Sequence, residues 1–172
     1  MANVNRYVEG RRNVRLINVA SGVTVEIGDL MFLDNSDNLR SNGSSSANYY
    51  AYPISYLRIS GSSLTLNKAE VKARFLGVAL DDKSVEYIPS GIFKMSIATT
   101  GKFNFDLSPG ASVNNGSYFC PSGTTTGSDM FNQKVAKTTN SDLALGYFAE
   151  YKINANSADV LIRTAFGSGG SI

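Results

Sequence analysis

The sequence contains no histidine, no tryptophan and a single cysteine, Cys120. Without histidine the chain lacks the side chain used most often as a general base or transition-metal ligand near neutral pH. One cysteine permits no disulfide within the chain and no zinc site built from thiolates. Charge is scarce as well. Only 17% of residues are charged and the net charge is +2, too little to draw the chain to nucleic acid. No apolar run approaches the roughly 18 residues of a membrane span. The first residues, Met1-Ala2-Asn3-Val4-Asn5-Arg6, carry no secretory apolar region. These absences predict a chain made in a cytoplasm, with no nucleic-acid partner, no membrane, no cofactor and no metal.

Polarity comes instead from Ser, Thr, Asn and 16 glycines. These residues favour turns, because they adopt turn conformations and bond their own backbone. Between the turn clusters run short apolar stretches with alternating faces, such as Val23, Val25 and Ile27, then Phe93, Met95 and Ile97, then Phe103, Phe105 and Leu107. Many short strands at close spacing predict an all-β barrel or sandwich. The unbroken run Leu30-Met31-Phe32-Leu33 suits a strand covered on both faces. Residues 65–73 are the one helix candidate, capped by Thr65 or Asn67.

Two blocks recur. Residues 25–32, with Gly28-Asp29 before Leu30, lie on residues 113–120, with Gly116-Ser117 before Tyr118. Phe75-Leu76-Gly77-Val78-Ala79 lies on Ala144-Leu145-Gly146-Tyr147-Phe148, and residues 85–93 lie loosely on 158–166. The chain therefore reads as two pseudo-repeated β units. A glycine within an apolar strand marks a bulge, a bend or a close backbone approach, so Gly77 and Gly146 are read as scaffold. The expected organisation is an extended basic arm over 1–15, one barrel domain over 16–166 with an insertion at 34–63, and a tail at 167–172. Pro53 argues against a central strand inside that insertion, since it has no N–H to donate.

No chemistry assembles. Asp81-Asp82 and the pair Asp34 and Asp37 sit in turn contexts, where Asp is an ordinary residue. Cys120, ahead of Pro121, has no histidine to activate it. No catalytic residue is assigned and an enzyme is not expected. Two surface features remain. The arm carries Arg6, Arg11, Arg12 and Arg15 against one acid, Glu9, and is a candidate for docking on an acidic partner. Tyr49, Tyr50, Tyr52 and Tyr56 form the most aromatic patch, a candidate interface because tyrosine is apolar at one end and polar at the other.

The order of blocks resembles a family of bacteriophage head decoration, or capsid cement, proteins. The residues that carry the likeness are Gly28-Asp29-Leu30-Met31-Phe32, then the run from Ala73 through Gly77 to Asp82, Gly91-Ile92-Phe93, Gly116-Ser117-Tyr118-Phe119, Leu143-Ala144-Leu145-Gly146 and the closing run from Ala158 to Arg163. The resemblance implies a small β-barrel on the outside of a virion capsid, bound to the major capsid protein, commonly as a homotrimer, and bracing the head. The length of the 34–63 segment and the arginine arm depart from the family pattern. The rival expectations are a tail or fibre component, and a small carbohydrate-binding module using the four tyrosines.

Overall fold

A computed structural model describes residues 7–9, 13–20, 22–34, 50–57, 63–83, 93–124 and 127–164. Eleven strands and one α-helix occur among them: β1 (Tyr7–Glu9), β2 (Val14–Val19), β3 (Leu30–Asp34), β4 (Tyr50–Pro53), α1 (Leu64–Ala73), β5 (Phe75–Ala79), β6 (Phe93–Ala98), β7 (Thr100–Val113), β8 (Tyr118–Gly123), β9 (Met130–Lys137), β10 (Gly146–Phe148) and β11 (Lys152–Arg163). The all-β class with one helix is as expected.

The two β units are two closed five-stranded barrels. The first runs β2-β4-β3-β5-β6. The second runs β7-β9-β8-β10-β11 and is closed by a parallel β7–β9 pairing, with β1 added outside β7. Strand for strand, the orders are the same, and the parallel contact β2–β4 matches β7–β9. The registers agree too. Leu30 faces Val78 and Met31 faces Gly77, while Tyr118 faces Tyr147 and Phe119 faces Gly146.

The same backbone hydrogen bonds recur at the matched turns. Gly28 N donates to Ala79 O at 2.9 Å, and Gly116 N donates to Phe148 O at 2.8 Å. Ala79 N donates to Asp29 O at 2.9 Å, and Phe148 N donates to Ser117 O at 2.8 Å. Both turn glycines have left-handed φ, 92° at Gly28 and 79° at Gly116. The third expected match needs a shift of register. β6 corresponds to residues 156–161, because Val78 faces Ala98 in one barrel and Tyr147 faces Leu161 in the other.

Gly77 and Gly146 are positions of close approach. A Cβ on Gly77 would stand 2.0 Å from the carbonyl oxygen of Ala98, and one on Gly146 would stand 2.2 Å from that of Leu161. In each case the neighbour is the backbone of the next barrel strand. Closing so small a sheet forces neighbouring strands together where they bend, and only a residue without a side chain fits.

Each barrel is filled by residues of alternating strands. Phe103, Phe105, Phe119, Phe148 and Val160 are fully buried in the second, with Phe119 and Phe148 meeting edge to face at 6.0 Å. Met31, Ala79, Met95 and Ile97 are the buried counterparts in the first. β3 is buried at all five positions, so its two-sided cover is as expected.

Several boundaries differ from expectation. The segment at 34–63 is in part barrel wall, since β4 closes the first barrel between β2 and β3 and matches β9. Pro53 is tolerated there because it is the last residue of the strand, opposite Met31. Pro109 does not end β7, which continues to Val113. It is exposed and lies where the pairing with β11 shifts register, between the partners of Ala155 and Ser157. Among the described residues, the alternation at 23–27 makes one bridge, Val25 to Lys83. Only residues 146–148 of the repeat block at 144–148 form a strand, β10, with a 3-10 turn at Ser141–Leu143 ahead of it. The helix cap is Ser63, whose Oγ accepts from Leu66 N at 3.3 Å. Asn67 is fully buried and instead donates to Ser128 O at 3.0 Å in the second half. Residues 85–92 of the third repeat block and the tail at 167–172 lie outside the described residues.

Candidate functional site

The expected arm runs into the fold. β2 begins at Val14, and β1 pairs with β7 of the second barrel. Tyr7 packs edge to face on Phe103 at 5.8 Å, and Glu9 Oε1 lies 2.8 Å from Lys102 Nζ. Asn13 O accepts from Thr99 N at 2.8 Å, tying the segment to the junction between the barrels. Arg15 is exposed and pairs with Ile97 on β6. Arg6, Arg11 and Arg12 lie outside the described residues.

The four tyrosines do not make one surface. Tyr52 is 2% exposed, its ring 5.9 Å from Phe32 and 6.3 Å from Tyr56. That makes it core, and the interface role expected for it is corrected: β4 pairs on both sides, and this side chain fills the space against β3. Tyr50 and Tyr56 are half-buried, and the Tyr56 hydroxyl accepts from Thr24 N at 3.3 Å. Tyr49 lies outside the described residues.

Two of the acidic residues flagged in the sequence, Asp34 and Asp81, have structural partners, and Asp37 lies outside the described residues. Asp34 is fully buried with Arg74 Nη1 at 3.6 Å, and Asp81 Oδ2 accepts from Ser96 N at 2.7 Å. Cys120 is buried beneath α1, its Sγ 3.6 Å from Lys68 Nζ. Burial raises its thiol pKa, with Lys68 opposing. Among the described residues no group of three Cys, Asp or Glu side chains is placed to hold a metal ion. Among them too, no helix is long and apolar enough to cross a membrane.

One exposed surface lies on the outside of the second barrel. Glu9, Lys102, Leu161, Tyr147 and Tyr118 face one another across β1, β7, β11, β10 and β8 and form one continuous row. Its centre is apolar and open. Tyr147 is 49% exposed and Leu161 is 48% exposed, and the Tyr118 and Tyr147 rings stack at 5.1 Å. One end is charged. Lys102 Nζ bridges Glu9 and Asp159 (2.8 and 3.2 Å), and these contacts raise its pKa, the hydrogen bond to Glu9 first. Asn104 Nδ2 holds the other Asp159 oxygen at 2.8 Å. Gly101 and Gly146 help form a groove of about 550 Å³ beside the row.

The duplicated fold gives this row its meaning. Its counterparts in the first barrel are Ala98, Val78 and Leu30, all at most 1% exposed. There the row is small, apolar and covered within the chain. In the second barrel it carries larger side chains and is open. Burying the exposed halves of Leu161 and Tyr147 against a partner is worth roughly 1 kcal/mol each, and the part-buried Tyr118 adds less.

The chain matches no protein-family model and no curated protein.

The sequence reading missed this row, although both parts of it were in view. The repeat already aligned Tyr118 with Leu30 and Tyr147 with Val78. A position that is aliphatic in one copy and tyrosine in the other is the signal that could have found it.

Proposed function

We propose that the chain is a structural virion protein, a decoration or cement protein that binds the outer surface of an assembled bacteriophage head through its major capsid protein. The observation that carries this reading is the open Leu161–Tyr147–Tyr118 row, a surface that the same fold keeps covered in its other copy. The resemblance of the sequence blocks to head decoration proteins supports it. So does the duplicated scaffold, in which matched glycines and hydrogen bonds serve barrel closure. Bracing a shell requires area and rigidity rather than a reaction. About 2 kcal/mol per site from the row is modest for one molecule, but it is repeated over every copy on a head. Homotrimers, as the resemblance implies, would present three rows at once. The arginines at 6, 11, 12 and 15 steer the encounter with an acidic capsid surface.

The test is co-sedimentation of the purified chain with purified heads that lack it. The wild type pellets with heads, while Leu161→Lys and Tyr147→Lys each weaken binding by about tenfold or more at unchanged unfolding midpoint. Variants that bind as the wild type does would remove the row from the account. A wild-type chain that binds tails and not heads would replace decoration with a tail or fibre role.

A further inference from the structure

A second concave site lies at the seam between the barrels, away from the open row. It is a cleft of about 520 Å³, within the range of small-ligand pockets. One wall is the turn before β3 with the 3-10 turn at Ile54–Tyr56, and the other is β9. The seam is rigidly built. Gln133 Nε2 donates to Ile27 O at 3.2 Å and to Asp29 Oδ1 at 3.0 Å, and Asn132 Oδ1 accepts from Ser55 N at 2.8 Å. The Ser55 bond engages the Asn132 oxygen, and the Asn132 NH₂ is the part of that amide that can donate to a ligand.

The remaining groups alternate in kind. Tyr56 accepts from Thr24 N, so its own proton can be donated. Glu26 is an exposed carboxylate that accepts only; its Oε2 lies 3.4 Å from Gln133 Nε2, and Oε1 remains for a ligand. The hydroxyls of Thr24 and Ser55 do both. Against these stands an apolar plane, the Phe131 ring, 43% exposed, with Lys134 Nζ 5.5 Å from its centroid.

The charge pattern selects among ligands. Glu26, Asp29 and Asp106 line the cleft against one cation, Lys134, which disfavours an anion. A hard cation is disfavoured in turn, because the Asp29 carboxylate is 2% exposed and already accepts from Glu26 N and from Gln133. A neutral ligand bearing adjacent hydroxyls fits. Each hydroxyl donates and accepts at once, matching carboxylate beside amide, and the C–H face of a sugar ring covers an aromatic ring.

We propose that the inter-barrel cleft is a binding site for a neutral saccharide of one or two rings, held by Asn132, Glu26 and Tyr56 and packed on Phe131. This does not depend on head binding, which uses another face. The experiment is saturation-transfer NMR on the full chain with maltose, cellobiose, lactose and N,N′-diacetylchitobiose at millimolar concentration, and N-acetylneuraminate as the anionic comparison. At least one neutral disaccharide gives saturable transfer. Asn132→Ala and Phe131→Ser each weaken it by about tenfold, and Leu161→Lys on the outer row leaves it unchanged. Phe131 is exposed, so its variant keeps the fold even if Asn132→Ala loosens the seam. No saturable binding of any neutral sugar, binding that survives both cleft variants, or preference for N-acetylneuraminate overturns the proposal.

Discussion

Replacing Gly77 by alanine probes the device that closes the first barrel. The added Cβ would stand 2.0 Å from Ala98 O and 2.9 Å from Ala98 C, inside the 3.0 Å that real Cβ atoms essentially never cross. The obstacle is backbone, not a side chain that can swing aside. Ala98 is moreover paired with Val78, so moving it opens the β5–β6 ladder. Gly77 also has φ +145°, which an L side chain rarely adopts. Backbone strain of about 1–3 kcal/mol and overpacking of about 1–3 kcal/mol together give roughly 2–6 kcal/mol. A domain is stable by only about 5–15 kcal/mol. With a urea slope of about 2 kcal/mol per molar, the unfolding midpoint falls by about 1–3 M. Gly146→Ala meets Leu161 O at 2.2 Å without the left-handed φ, so it loses less, about 1–3 kcal/mol. Gly22 has nothing within 4 Å of its added Cβ and is the packing control. A Gly77→Ala midpoint equal to that of Gly22→Ala would refute the close-approach argument.

Cys120 is buried with a raised thiol pKa, so a thiol reagent at pH 8 labels it only as fast as the chain opens; immediate labelling of folded protein contradicts its place under α1. The same shift favours the protonated thiol in the fold, so its contribution is complete below about pH 9 and fades as pH rises further. Lys83 is 4% exposed, donates to Ala20 O and Val23 O, and has a pKa lowered by burial. The unfolded chain then binds the extra proton below 10.5, so in a Cys120→Ala background stability rises with pH towards that value, and Lys83→Met removes the rise in urea midpoints. Asn67→Ala strands Ser128 O at the seam and costs about 1–3 kcal/mol by urea unfolding; a loss below about 0.5 kcal/mol would show that bond to be replaceable.

The repeat was the most legible feature because it rests on backbone demands. Gly28 and Gly116 must take left-handed φ, and Gly77 and Gly146 must lack a side chain, so sequence and geometry coincide there. β4 was hidden by Pro53, since the prohibition on proline holds for a donating position and fails at the last residue of a strand. β7 runs on past Pro109 in the same way, because a register shift against β11 accommodates the ring. The tyrosine patch misled because alternation along β4 sends Tyr52 to the core, while a cluster read along the sequence has no faces. The outer row could not be read from any one segment. It is made by five strands from distant parts of the chain, and its openness shows only against the covered row of the other barrel.

The most direct test of the account is the amount of chain carried down with purified heads, measured for the wild type and Tyr147→Lys side by side. The account predicts saturable wild-type binding that the substitution weakens by about tenfold with the fold intact. Equal binding by both proteins, or no binding by the wild type, would contradict it.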